Sequence, residues 1–173
     1  MTADALSVEQ FSTSLISLIE SYTAEAVRSV TPTPDRVISV QPGQAAAWDG
    51  NCDGQLWTRL VGFEPTPSAT PARRHGADLC AVPVWVVTLE MGIIRCAAQM
   101  DNRGKPPSGE KITKDGHQSI DDLSALLGVL QCHPRTRSVT SWTPRGPEGG
   151  YHGGYWTFTV EMSNCITCET GEG

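Results

Sequence analysis

Residues 81–98 read AVPVWVVTLEMGIIRCAA and form the longest β-prone stretch of the chain. Branched and aromatic side chains dominate it, and apolar residues occupy both sets of alternating positions over much of its length. A strand that is apolar on both faces is typical of the centre of a sheet, and we predict that position here. Gly92 interrupts the run, and we expect it to mark a bulge or a bend.

The N-terminal part of the chain predicts an amphipathic helix over residues 8–29. Ser7 and Gln10 have the spacing of a capping box, in which two side chains satisfy backbone N–H groups at a helix start. Apolar residues then recur at helical spacing and leave serines and a glutamate on the other side. The helix should end before Pro32, because proline cannot continue it.

A second amphipathic helix is predicted over residues 119–132, and Pro134 ends it. Its apolar stripe consists of Ile120, Leu123, Leu126, Leu127 and Leu130. Asp121 and Asp122 then fall in the first turn, where carboxylates interact favourably with the helix dipole. A role as metal-binding carboxylates is the less common explanation for such a pair.

Shorter strands are predicted at residues 36–40, 55–63, 137–143 and 155–162. In the second of these, alternation places Trp57 and Arg59 on one side. The order of helix, strands, helix and two strands lacks a regular βαβ alternation. We therefore predict an α+β domain over residues 1–163, in which two helices pack on one face of an antiparallel or mixed sheet of about four to five strands. Residues 164–173 read as a loose tail.

Composition excludes several classes of function. The chain has 173 residues and a net charge of −6, without a block of lysine or arginine, which argues against nucleic-acid binding through a basic face. No run approaches the roughly 18 apolar residues that a membrane span needs. The N-terminus lacks the build of a signal peptide, so we expect a protein made and kept in a cytosol.

The six cysteines give one pair with ligand-like spacing, Cys165 and Cys168. One CxxC is half of a zinc site, and the sequence contains no second half. These two residues are therefore weak metal candidates, and we expect no cofactor. In a cytosolic protein the default interpretation of all six is free thiols, with a late disulfide as the next alternative.

No catalytic motif emerges from the sequence. All four histidines fall in predicted loops or at the end of an element, outside any local metal or nucleophile signature. The glycine-rich segment at residues 149–154 lacks the Lys-Ser/Thr of a phosphate-binding loop and leads into a strand. Trp85 and Trp156 fit the core, whereas Trp48 and Trp142 lie next to turns and are candidates for anchoring a partner.

Basic residues concentrate in loops and acidic residues toward the two ends of the chain. A subunit with two oppositely charged sides can associate head to side, and such contacts form a ring when they close. The long polar loops predicted at residues 101–117 and 144–154 are the segments expected to make contacts between subunits or with partners. Their candidate interface residues are Arg103, Lys105, Lys111, Lys114, Arg145, Tyr151 and His152.

Three stretches resemble a known family: WDGNCDGQLWTR (residues 48–59), WVVTLEMGIIRCA (residues 85–97), and WTPRGPEGG with GGYWTFTV (residues 142–150 and 153–160). They are similar to the tail terminator proteins of long-tailed phages, particularly actinobacterial ones. The likeness extends over most of residues 1–165.

The resemblance implies a structural virion protein with a sheet and two helices. Family members form a homohexameric ring that caps the finished tail tube, stops polymerisation of the tube protein and offers the surface on which the filled head docks. Implied partners are further copies of the chain, the tail tube protein and the head-to-tail connector, with genome DNA passing through the channel without sequence-specific binding. The implied location is the neck of the virion, assembled in the host cytoplasm.

Three alternatives stay open. The chain is also similar in size to head-to-tail connector or stopper proteins of the phage neck. A different class is a small interaction module in which Cys165 and Cys168 hold a metal. The third is a small enzyme with a site assembled from loop residues such as His117, Asp121 and His152.

Overall fold

The structure is a computed structural model, and the described residues are 8–41, 43, 54–65, 84–147 and 150–163. They contain two helices and five strands. The helices are α1 (Val8–Ser29) and α2 (Gly109–Cys132), and the strands are β1 (Arg36–Ile38), β2 (Gln55–Pro65), β3 (Val84–Cys96), β4 (Thr136–Arg145) and β5 (Tyr151–Ser163). The predicted tail at residues 164–173 lies outside the described residues.

The five strands form one mixed sheet in the order β1-β2-β3-β5-β4. The β1–β2 pair is parallel, and the three other pairs are antiparallel. The strand that the sequence places in the centre, β3, is the middle strand of this order. The predicted α+β class with a mixed sheet is therefore confirmed.

Both helices pack on the same face of the sheet. On α1, the Tyr22 ring lies 4.9 Å from Phe158 of β5. On α2, the Leu123 carbonyl accepts a hydrogen bond of 3.1 Å from Trp156 Nε1, two residues before Phe158 on β5. Residues two apart on a strand share a face, so one layer of helices covers one layer of strands. The core between the layers includes Ile19, Tyr22, Leu56, Leu89, Met91, Leu126, Leu130, Phe158 and Val160, all buried.

The alternation predicted for β2 is confirmed. Leu56 faces the helices, whereas Trp57 and Arg59 lie on the opposite face together with Glu90 of β3. Glu90 accepts hydrogen bonds from Trp57 Nε1 at 2.9 Å and from Arg59 Nη2 at 2.6 Å. All three side chains are buried, and the hydrogen bond to Glu90 raises the pKa of Arg59. The outer face of the sheet therefore holds a buried ion pair beside the buried Trp57 ring.

The expectation of a bulge at Gly92 is wrong. Gly92 keeps regular register with Trp57 on one side and Tyr155 on the other. The irregularity between β2 and β3 lies instead between Leu60 and Gly62. Glycine is needed at position 92 for space, because the Trp57 ring and Tyr155 Cβ occupy the volume that a side chain would fill.

The second helix begins ten residues earlier than the sequence predicts. Ser108 caps it, and its Oγ accepts from the Lys111 backbone N–H. The sequence predicts loop for residues 109–117 because Gly109, Gly116 and many polar residues hide the apolar periodicity there. As a result, Asp121 and Asp122 lie in the middle of α2, and the first-turn explanation for them is wrong.

The glycine-rich segment between β4 and β5 is shorter than predicted. The expected loop over residues 144–154 contains the end of β4 and the first four residues of β5. Gly153 has φ +140° and pairs with both Ile94 and Arg145. The backbone freedom of glycine is therefore used inside a strand and not in a loop. Trp142 packs on the core with its ring 5.6 Å from Trp156, which does not favour a role as a partner anchor.

The two described cysteines differ in state. Cys96 ends β3 and is disulfide-bonded, so the expectation of free thiols is wrong for this residue. Cys132 at the end of α2 is free and exposed. The partner of Cys96 lies outside the described residues, as do Cys165 and Cys168. Neither described helix is long and apolar enough to cross a membrane.

Gly92→Ala should destabilise the domain, because the added methyl group would clash with the Trp57 ring and disturb its bond to Glu90. Overpacking of this kind costs about 1–3 kcal/mol in unfolding free energy. Gly116→Ala is the matched control: its Cβ would point into open space within α2, and alanine favours the helix by roughly 0.5–1 kcal/mol. Urea unfolding of both variants checks this, and an unchanged Gly92→Ala midpoint would contradict it.

Candidate functional site

A buried ion pair holds α2 to the end of β3. Arg95 Nε and Nη2 donate to the two carboxylate oxygens of Asp122 at 2.6 and 2.8 Å. Arg95 Nη2 also donates to the Pro32 carbonyl at 2.7 Å, and Gln118 Nε2 donates to the Thr31 carbonyl at 3.0 Å. Asp122 is only 1% exposed. The network joins the middle of α2, the sheet and the chain that follows α1.

A second polar contact lies next to this pair. His152 Nδ1 is 2.7 Å from Ser119 Oγ, and the ring also hydrogen-bonds the Cys96 backbone. Asp115 Oδ1 is 4.0 Å from Nε2, while Asp115 Oδ2 accepts from the Ala98 N–H at 2.7 Å. Burial lowers the pKa of His152, and the charges of Asp115 and Asp122 oppose that shift.

Ser119 and His152 are the described groups closest to a nucleophile–base pair. A serine hydrolase additionally needs a carboxylate or similar group that orients the base, donors for an oxyanion and a substrate cleft. The carboxylate of Asp115 lies 4.0 Å from His152 Nε2, which is too far for a hydrogen bond. Of the enzyme candidates from the sequence, His117 and Asp121 are exposed on α2, and the structure does not bring them together with His152 around a cleft.

A groove of about 900 Å³ lies between α1, the turn that joins α2 to β4, and the end of β5. Its polar lining includes Ser14, Ser17, Ser21, His133, Arg135 and Glu161. Ser21 Oγ donates to the Leu18 carbonyl at 2.7 Å and lies 3.4 Å from His133 Nε2.

His133 in this groove has a structural role. Its Nδ1 accepts from the Arg135 N–H, so the proton of the neutral ring lies on Nε2. That nitrogen can donate to Ser21 Oγ but cannot act as a base toward it. The ring stacks on Tyr22 at 3.8 Å, and burial raises the pKa of Tyr22 to about 12.

The segment between β3 and the middle of α2 projects from the domain. We call residues 99–114 the arm: all of them are exposed except Pro107, which is half-buried. Asp101 Oδ1 accepts from the backbone N–H groups of Arg103 and Lys105, which folds the tip into a turn. The arm presents two large apolar side chains to solvent, Met100 at 68% and Ile112 at 56% exposure.

Four of the predicted interface residues meet on the arm: Arg103, Lys105, Lys111 and Lys114. Within the described part of the chain none of them forms an ion pair. Arg145 is exposed on β4 with its guanidinium 5.3 Å from the centre of the Tyr155 ring. Tyr151 and His152 are half-buried at the start of β5, next to the base of the arm, and Ser119 ties His152 to α2.

Sequence reasoning missed a second surface at the other end of the sheet. Leu60, Val61 and Phe63 of β2 are exposed, and so is Ile16 of α1; we call these four residues the β2 patch. Thr23 of α1 hydrogen-bonds Thr58 of β2, and the Phe11 ring contacts the Phe63 ring, so the part of α1 that carries Ile16 runs alongside the part of β2 that carries Leu60. The available signal was the pair of consecutive apolar residues at 60 and 61, which breaks the alternation of a half-buried strand.

Within the described residues, β1 covers only part of the outer edge of β2. β1 pairs with β2 only over Gln55, Leu56 and Trp57, and one further bond joins the Gln41 N–H to the Thr58 carbonyl. Beyond that point, among the described residues, no strand pairs with the outer edge of β2. An unpaired strand edge with apolar side chains is a template for association with another chain.

No metal site is formed by the part of the chain that the structure describes: it contains no group of three or more histidine, cysteine, aspartate or glutamate residues that could hold an ion. The weak metal candidates Cys165 and Cys168 lie outside it. In comparisons with known proteins, no protein-family model and no curated protein matches the chain.

Asp122→Ala should strongly destabilise the domain, because it leaves the Arg95 guanidinium buried without its carboxylate. Breaking a buried pair in this way costs about 3–5 kcal/mol. The neighbouring Asp121→Ala is the control, since this exposed residue should change the unfolding free energy by less than about 0.5 kcal/mol. Equal effects of the two variants in urea unfolding would contradict the assignment.

Stability should fall as the pH drops through about 6.5, the ordinary pKa of histidine. Burial lowers the pKa of His133 despite the opposing charge of Glu25, so the unfolded chain binds a proton at a pH where the folded one does not. His133→Gln should reduce the loss of unfolding free energy between pH 8 and pH 5.5. Denaturant unfolding across that range measures both slopes, and identical slopes would exclude His133 as a source.

Proposed function

We propose that the chain is a tail terminator of a long-tailed phage, a structural virion protein and not an enzyme. In this role several copies, most simply a homohexamer, close into a ring on top of the tail tube. The ring stops polymerisation of the tube protein and presents the docking surface for the connector of the filled head. Genome DNA then passes through the channel without sequence-specific contacts, and the protein resides in the neck of a virion assembled in the host cytoplasm.

The observation that carries the proposal is the arm. Met100 and Ile112 are exposed apolar side chains. Covering them with another surface would stabilise the contact by about 25 cal/mol per Å² of apolar area buried. The arm is nevertheless fixed at its base, where the Ala98 N–H bonds Asp115 and where Arg95 and Asp122 anchor α2. A fixed, exposed and partly apolar projection suits a contact with another subunit or partner.

Two further observations support a role in assembly. The five-stranded sheet with both helices on one face agrees with the fold that the sequence resemblance implies. The β2 patch offers a second unpartnered surface, distinct from the arm. A subunit with two different association surfaces forms heterologous contacts, which produce rings when the rotation closes.

An early stop codon in this gene of the phage tests the proposal, with the particles examined by negative-stain electron microscopy. A terminator predicts overlong tails of variable length beside unattached filled heads, because nothing caps the growing tube. A plasmid copy of the intact gene should restore normal virions and serves as the control. Tails of normal length beside unattached or leaking heads would assign the protein to the connector, and intact infectious virions would exclude a role in assembly.

A further inference from the structure

The arm and the β2 patch lie at opposite ends of the sheet. The arm follows the end of β3 at Cys96, whereas Phe63 of the patch pairs with Val87 near its start. Nine strand residues separate these two points, which corresponds to about 30 Å at 3.3 Å per residue. Within one copy the two surfaces therefore cannot meet.

The charges of the two surfaces are opposite. The arm has four basic residues against two acidic ones, Asp101 and Glu110; the Asp101 carboxylate already binds backbone N–H groups, and Glu110 lies in the first turn of α2. Exposed carboxylates occur on the two elements that carry the β2 patch: Glu9 and Glu20 on α1 and Glu64 on β2. The only described basic residue on the neighbouring part of β2, Arg59, is buried against Glu90.

We propose that the arm of one copy docks on the β2 patch of the next copy, with Ile112 and Met100 covering Leu60, Val61 and Phe63. Lys111 and Lys114 then face Glu20 and Glu64 across this contact. This inference rests on the proposed function, because it identifies the subunit interface of the proposed ring.

Both surfaces have properties that the contact requires. The exposed apolar side chains of the β2 patch give Ile112 and Met100 a surface to cover. Opposite charges on arm and patch favour the head-to-tail pairing, whereas two arms would repel each other. The contact is heterologous, so each copy uses its arm once and its patch once.

A photo-crosslinking experiment tests the contact directly. The full chain carries a benzophenone amino acid at Ile112 and is irradiated at concentrations up to about 1 mM, with the products mapped by mass spectrometry. We expect a dimer crosslinked to residues 60–64 and higher oligomers at higher concentration. The same probe at Ala24, which is exposed on α1, is the control and should give no such product. A monomer without this crosslink at every concentration would overturn the proposal.

A charge exchange provides the second test. The double variant Lys111→Glu/Lys114→Glu should raise the dissociation constant in analytical ultracentrifugation by roughly tenfold or more, and so should Glu20→Lys/Glu64→Lys. Combining all four changes in one chain should restore association, because every contact again pairs opposite charges. Arg28→Glu, at an exposed position near the end of α1, is the matched control and should have little effect.

If the quadruple variant does not associate again, the proposed pairing is overturned. Loss of duplex DNA retention in the Lys111→Glu/Lys114→Glu variant with unchanged self-association would assign the arm to nucleic acid and would also overturn it. The result is separable from the stop-codon experiment. Overlong tails without the crosslink would support the terminator function and exclude this interface. The crosslink together with intact virions would support the interface and exclude the terminator function.

Discussion

The buried pair of Arg95 and Asp122 is the interaction on which the arrangement of this domain depends. Two charges removed from water are costly unless each is paired and hydrogen-bonded, and here the guanidinium also binds the Pro32 carbonyl while Gln118 supports the carboxylate. The pair joins β3, α2 and the chain after α1 at one end of the sheet. It fixes where α2 crosses the sheet and therefore how far the first turns of α2 extend beyond it.

The two ends of the domain differ because of this anchor. At the anchored end, polar contacts of Ser119, His152 and Asp115 hold the base of the arm, and the arm itself stays in solvent. At the other end, α1 covers Phe63 only partly through Phe11, and β2 continues past its short partner β1. One end thus presents a basic projection, and the other presents an exposed apolar patch on elements that also carry exposed acidic residues. This asymmetry is the physical basis for the proposed head-to-tail association.

Much of the secondary structure follows from local pattern. The central position of β3, the extent of α1 and the two faces of β2 were predicted, because burial on one or both faces leaves a direct periodicity in the sequence. The start of α2 was not predicted, since residues 109–118 pack against little and show no apolar stripe. The ion pair of Asp122 was missed for a different reason: a carboxylate in a helix is usually solvent-exposed, and its partner Arg95 lies 27 positions away in the sequence.

Local sequence pattern was enough to predict the α+β class, the central strand and the concentration of basic residues in the stretch that forms the arm. The folded chain was needed to see that residues 99–114 form an exposed arm anchored at its base, that Gly92 makes room for Trp57, and that the β2 patch is exposed. These features arise from contacts between residues distant along the chain, such as Arg95 with Asp122 and Trp57 with Glu90. Local periodicity reports which face of an element is buried, but it carries no information on which distant group buries it.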